Sequence, residues 1–227
     1  MIVESCVDSI DAALASEAGG ARRLELCARL DVGGTTPDPA LVAAVVAAVR
    51  IPVVAMVRPR GGDFVYDPVE LSAMVRDIGR MREAGAHGIV TGVLTASGTI
   101  NVPLMHVLVR MAGPLPVTCH RAFDEVRDLD AALDSLIGLG VTRVLTSGGA
   151  ATATEGTETL ARLVQRSAGR ITILAGGTVR ASNVRALVDA TGVAEVHARI
   201  IREAGPADAS TRARWTADVA ALVAAAS

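Results

Sequence analysis

Apolar and polar positions along the chain follow two periods in turn. Short runs with strand character are Ile2–Cys6, Arg23–Cys27, Val53–Arg58, Gly88–Val93, Pro116–His120, Arg143–Ser147, Ile171–Ala175 and Ala194–Ala198. Between them, apolar residues recur every three or four positions, the mark of helices with one buried face. Leu71, Met74, Val75, Ile78 and Met81 form one such face. Their helix is predicted over Pro68–Ala84, with Asp67 as N-cap and Gly85 as the stop. A last helix, over about Thr211–Ala226, follows the eighth strand. No linker or low-complexity stretch interrupts the alternation, so residues 1–227 read as one domain.

Eight strands, each followed by a helix, call for parallel pairing, because helical crossovers join parallel neighbours and cover the sheet. Eight such units close into a (β/α)8 barrel of TIM type. Dividing 227 residues among them leaves about 28 each, a compact barrel with short loops. The competing architecture is an open doubly wound sheet. No Gly-rich dinucleotide fingerprint follows the first strand, and the closed barrel is the predicted fold.

Alternation within each strand then sets which side chains enter the barrel. Leu24 and Leu26 suit the helix layer, which turns Glu25 and Cys27 inward. By the same phase Glu4 and Cys6, Thr118 and His120, and Glu195 and His197 point inward, while Val3, Val117, Cys119 and Val196 point outward. Strand three ends in Arg58, strand four carries Thr91 and strand six carries Ser147. Barrel chemistry sits at the C-terminal strand ends. Glu4, Glu25, Arg58, His120, Glu195 and His197 are therefore expected together at the mouth. Burying such charges is costly unless they are paired, so the cluster is either a functional site or a buried ionic layer.

The loops add candidates. Arg58-Pro59-Arg60-Gly61-Gly62-Asp63-Phe64 brings two guanidiniums, suited to bidentate capture of carboxylate or phosphate. His120-Arg121-Ala122-Phe123-Asp124 sets a histidine, an acid–base group or ligand, beside a cation and a carboxylate. Ser147-Gly148-Gly149 and Gly176-Gly177-Thr178 are candidate anion-binding turns, although paired glycines also make plain tight turns.

Composition narrows the chemistry. All 22 basic residues are Arg. Without a lysine amine, Schiff-base aldolases and pyridoxal-phosphate enzymes are excluded, and no dinucleotide cofactor is expected. A net charge of −2 and only four aromatic residues, Phe64, Tyr66, Phe123 and Trp215, argue against nucleic acid as a partner. No apolar run reaches the roughly 18 residues of a membrane span. Met1–Ile10, with Glu4 and Asp8, does not read as a targeting segment. Three cysteines read as reduced thiols in the cytoplasm. Cys6 and Cys27 point inward from adjacent strands, each two residues beyond a glutamate. Soft thiolates suit Cu(I), while small buried cysteines also serve as barrel filler. Cys119 reads as core, His87 and His106 as surface or interface residues, and the methionines as scattered core positions.

Val3-Glu4-Ser5-Cys6, Leu24-Glu25-Leu26-Cys27, Gly33-Gly34-Thr35-Thr36-Pro37, the Val57–Phe64 loop, Val90-Thr91-Gly92-Val93-Leu94, His120–Asp124, Arg143–Gly148 and Glu195-Val196-His197 together resemble the CutC copper homeostasis family. The likeness runs in order from Met1 to His197. It implies a cytoplasmic TIM-like barrel with a role in copper binding and handling, and Cys6 and Cys27 as the Cu(I) ligands. After the strand-eight histidine, Ala198-Arg199-Ile200-Ile201 stand where the family pattern leads one to expect serine-type residues.

Two functional readings follow. In one, Cu(I) is held by Cys6 and Cys27, with His120 or His197 as a further ligand. In the other, a lyase or isomerase acts on a small anionic or sugar-like substrate. There Arg58, Arg60, Asp63, Arg121, Asp124, Ser147, Gly148, Gly176 and Gly177 would bind the substrate, and Glu25, His120, Glu195 and His197 would move protons. The expected partner is a copper ion or a small anionic metabolite, with neither nucleic acid nor membrane. Barrels often form homo-oligomers, and the sequence marks no interface for one.

Overall fold

The computed structural model describes residues 1–201 and 207–227. Strands β1 (Ile2–Val7), β2 (Arg23–Leu26), β3 (Val53–Met56), β4 (Gly88–Thr91), β5 (Val117–Cys119), β6 (Arg143–Thr146), β7 (Thr172–Ala175) and β8 (Glu195–Ala198) pair in parallel in chain order. β8 returns to β1, with Ile2 opposite Glu195 and Glu4 opposite His197, so the sheet closes. Helices α1 (Ile10–Ala18), α2 (Pro39–Ala48), α3 (Pro68–Glu83), α4 (Val102–Ala112), α5 (Leu129–Gly138), α6 (Thr157–Ser167), α7 (Val184–Thr191) and α8 (Ala209–Ala226) follow the strands in turn. This is the predicted TIM-type barrel. Short 3-10 turns, Leu30–Val32 and Arg121–Glu125, sit in the loops after β2 and β5.

Local chemistry explains the element ends. In α3 the Asp67 side chain accepts from the Val69 and Glu70 amides while the Glu70 carboxylate accepts from the Asp67 amide, and Pro68 stands in the first turn. Gly85, at φ +85°, follows the C-cap residue Ala84. The face carrying Met74, Ile78 and Met81 is fully buried, each side chain contributing about 1.5–3 kcal/mol. α8 begins at Ala209, capped by Asp208, two residues before the predicted start. Strands β3 and β5 are shorter than their apolar runs. Arg58 leaves the ladder because its carbonyl accepts from Thr36 in a neighbouring loop, and His120 caps the following 3-10 turn.

Strand alternation divides the interior in two. Val3, Leu24, Leu26, Val117, Cys119 and Val196 join the apolar shell between sheet and helices. Inside the barrel a small apolar cluster of Cys6, Cys27, Val54, Met56 and Val90, covered by Leu30, lies among polar groups.

Those polar groups begin with an ionic layer at the N-terminal strand ends. Arg23 Nε donates to Glu4 Oε2. Arg23 Nη2 donates to Glu195 Oε2 at 2.5 Å, and Arg143 Nε donates to the same oxygen at 3.2 Å. Glu195 was expected at the mouth among the proton-transfer groups. It is instead the first residue of β8, and two arginines occupy its carboxylate at the opposite end of the barrel. Alternation gives a side chain's direction and leaves its height along the barrel axis open.

Candidate functional site

A cavity of about 610 Å³ lies at the C-terminal strand ends. Its inner wall carries Cys6, Glu25 and His197. Cys6 Sγ lies 4.0 Å from Cys27 Sγ, and the Cys27 thiol faces Glu25 Oε2 at 3.5 Å. His197 Nδ1 is 2.7 Å from Glu4 Oε1, and its Nε2 is 3.7 Å from Glu25 Oε2. Ligand atoms of Cys6, Glu25 and Cys27 all fall within 4.8 Å of one another, as do those of Glu4, Glu25 and His197.

This geometry sorts the protons. Burial alone would raise the Glu4 carboxyl, but bonds to His197 and Arg23 hold it down at about 2. The bond from Cys27, working against burial and helped by His197, lowers the Cys6 thiol to about 5. The Cys27 thiol moves the other way, through its bond to Cys6 and its burial. Burial, reinforced by the Cys6 charge, pushes Glu25 well above the ordinary carboxyl range. His197 is raised despite burial, by Glu25, Cys6 and Glu4 around it. The result is a thiolate and an imidazolium side by side, with Glu4 fixing the ring.

The outer wall differs from expectation in several places. His120 lies in the cavity wall, stacked against Phe64 with ring centroids 4.8 Å apart. Its Nδ1 accepts from the Ala122 amide at 3.2 Å, which leaves the ring proton on Nε2. Burial and the Arg58 charge lower it to about 3, which favours the neutral ring with Nε2 as a hydrogen-bond donor. Arg58 is 6% exposed and sits 4.7 Å over the Phe64 ring. Its Nη1 donates to the Val32 and Gly34 carbonyls and its Nη2 to the Gly62 carbonyl.

Arg60 does not join it. Arg60 Nε donates to Glu70 at 2.6 Å and Nη2 to Asp63 at 3.0 Å, which closes the loop onto α3 outside the cavity. Asp63 is occupied by that pair and by the Val65 amide. Arg121 and Asp124 reach the rim as an ion pair at 2.7 Å.

The turn at Ser147 already contains its anion. Asp124 accepts from the Ser147 and Gly149 amides at 3.0–3.1 Å, from the Ser147 hydroxyl at 3.1 Å and from the Thr146 hydroxyl at 2.5 Å. The Gly148 amide donates to Thr146 Oγ1. Ser147, Gly148 and Asp124, expected to bind substrate, thus satisfy one another. Gly176 and Gly177 serve packing. A Cβ at Gly176 would come 2.5 Å from Leu145 Cδ1, and one at Gly177 would come 2.9 Å from Ser147 Cβ. Gly177 also has φ +109°.

Two inward arginines, Arg23 and Arg143, were not singled out from the sequence. The phase that turns Glu25 and Cys27 inward also turns Arg23 inward, so that signal was present. Arg199, whose Nη1 donates to the Leu30 carbonyl, lines the cavity just beyond β8.

A closed barrel whose mouth ends on paired thiols, a carboxyl and an imidazole defines a TIM-type barrel protein with a soft-donor pocket. A model of the CutC family matches residues 1–202. The human copper homeostasis protein cutC homolog is 44% identical over 206 residues, covering 90% of this chain and 76% of its own. A CutC family protein of Chromobacterium violaceum is 43% identical over 197 residues, covering 87% and 80%. The crystal structure of a Streptococcus agalactiae CutC protein superposes with a TM-score of 0.85 at 33% identity, covering 88% of this chain and all of that one. The chain belongs to the CutC family.

Proposed function

We propose that the protein binds Cu(I) through Cys6 and Cys27 at the inner end of the cavity, as part of copper homeostasis. The observation that carries this reading is the 4.0 Å separation of two buried sulfurs on adjacent strands, with a Glu25 oxygen close to both. Two metal–sulfur bonds of ~2.3 Å span that separation with a bend, which leaves room for a third donor. Glu25 supplies a carboxyl oxygen there, and His197 supplies charge and orientation. Sulfur donors select Cu(I) over harder ions, and a thiol lowered to about 5 is deprotonated before the metal arrives. The names of the human and bacterial relatives speak of copper homeostasis, which agrees with a role in handling that metal. A reducing cytoplasm is the compartment in which three free cysteines stay available. Among the described residues no helix is long and apolar enough to cross a membrane.

Competition against a chromophoric Cu(I) chelator under anaerobic, reducing conditions tests the reading. The wild-type chain is expected to take one Cu(I). The Cys6→Ser, Cys27→Ser double variant should lose roughly 100-fold or more in affinity. Retention of wild-type affinity by the double variant would overturn it.

A further inference from the structure

The cavity is far larger than a metal ion requires. Its volume of about 610 Å³ falls in the range of small-molecule pockets, and the sulfurs take up only its inner wall. Three side chains lining it are buried and incompletely satisfied. His120 Nε2 and Glu25 Oε1, on residues each 3% exposed, have no hydrogen-bond partner among the described residues. Both can donate: His120 Nε2 carries the ring proton, and Glu25, whose Oε2 accepts from the Cys27 thiol, carries the proton of its neutral carboxyl on Oε1.

Arg58 is the third. Its terminal nitrogens donate to three backbone carbonyls, the Tyr66 hydroxyl lies beside the guanidinium, its Nε has no partner, and no carboxylate pairs with it among the described residues. A buried cation without a counter-charge and a buried donor without an acceptor are both unfavourable, and a bound anion would relieve both. Phe64 joins the two, with Arg58 over its ring and His120 against it. Phosphate is a poor occupant, because the turn amides that would cradle it are held by Asp124.

We propose that this cavity binds a small hydroxycarboxylate. Its carboxylate lies beside Arg58 and accepts the His120 Nε2 hydrogen bond, and its hydroxyl accepts from the neutral Glu25 carboxyl at Oε1. Met56, Phe64 and Leu145 cover the carbon chain. The site shares Glu25 with the thiol pair but does not depend on copper.

The test is an NMR titration of the full metal-free chain with glycerate, following the His120 ring resonances. A saturable shift is expected. Propionate, which lacks hydroxyls, should bind at least about fivefold more weakly, and inorganic phosphate should give no saturable shift. His120→Asn keeps an N-cap acceptor for the Ala122 amide but removes the donor. It should weaken glycerate at least about tenfold with an unchanged melting curve. Because the titration uses the metal-free chain, glycerate binding is read independently of copper binding, which separates this site from the copper reading. No saturable glycerate shift, equal binding of propionate, displacement by phosphate, or undiminished binding to a folded His120→Asn would each overturn the proposal. The ligand comparison on the wild type decides the matter even if His120→Asn fails to fold.

Discussion

Glu25 and Glu195 are both inward glutamates, yet their neighbours give them different work. Glu195 lies between Arg23 and Arg143, so its charge is compensated and its role is to hold the ionic layer together. Replacing it with Gln removes the negative partner of two guanidiniums, a change that costs roughly 3 kcal/mol when a buried pair is broken. A fall in Tm of roughly 6–12 °C is expected, with Cu(I) affinity unaltered. Calorimetry and the chelator competition check this together, and the opposite pattern would return Glu195 to the site. Glu25 faces thiols and an imidazole, and burial favours its neutral form. Glu25→Gln, isosteric with that form, should leave Tm within a few degrees and lower Cu(I) affinity. Both residues were legible as inward from their place in the strand period. Which of them meets arginines was not, because that depends on strands far away in the chain.

At the scale of elements, Asp124 links two βα loops. It lies in the 3-10 turn after β5 and closes the turn after β6 through amides and hydroxyls of Thr146, Ser147 and Gly149. Asp124→Ala leaves several donors without an acceptor, and a loss of about 2–4 kcal/mol is expected from the denaturant midpoint. Amide exchange at Ser147 and Gly149 should quicken in the variant while β-strand amides stay protected. An unchanged midpoint would show the link to be dispensable. The sequence offered Ser147-Gly148-Gly149 as an anion nest, and the backbone does form one. Only the folded chain shows that its occupant is a side chain from the preceding loop.

For the molecule as a whole, two buried groups tie stability to acid. Burial works to raise Glu4, yet its bonds to His197 and Arg23 lower it from 4.5 to about 2; burial and Arg58 lower His120 from 6.5 to about 3. Both bind protons more readily when unfolded, so stability must fall as pH falls. The His120 contribution is complete above about pH 6.5 and declines toward 3; that of Glu4 is complete above about 4.5 and declines toward 2. His197 acts in the opposite sense, its contribution being complete below 6.5 and lost as pH rises through its elevated folded value. Glu25, raised in the folded chain, opposes His120 above about pH 4.5, so denaturant midpoints should drop chiefly below about pH 4.5, where Glu4 and His120 act together. A flat profile below that value would mean that Glu4 and His120 carry their protons in the folded chain.

The order of elements, the closed parallel barrel and the inward or outward sense of the residues in β1, β2, β5 and β8 came from the sequence alone. These are consequences of local period, capping and the few ways eight β/α units can bury their apolar faces. The pairing of Arg23 and Arg143 with Glu195, the turning of Arg60 onto α3 and the filling of the Ser147 turn by Asp124 were decided only by tertiary structure. Each is a contact between segments separated along the chain, and charge and hydrogen-bonding groups choose partners by distance in space, which no local pattern encodes.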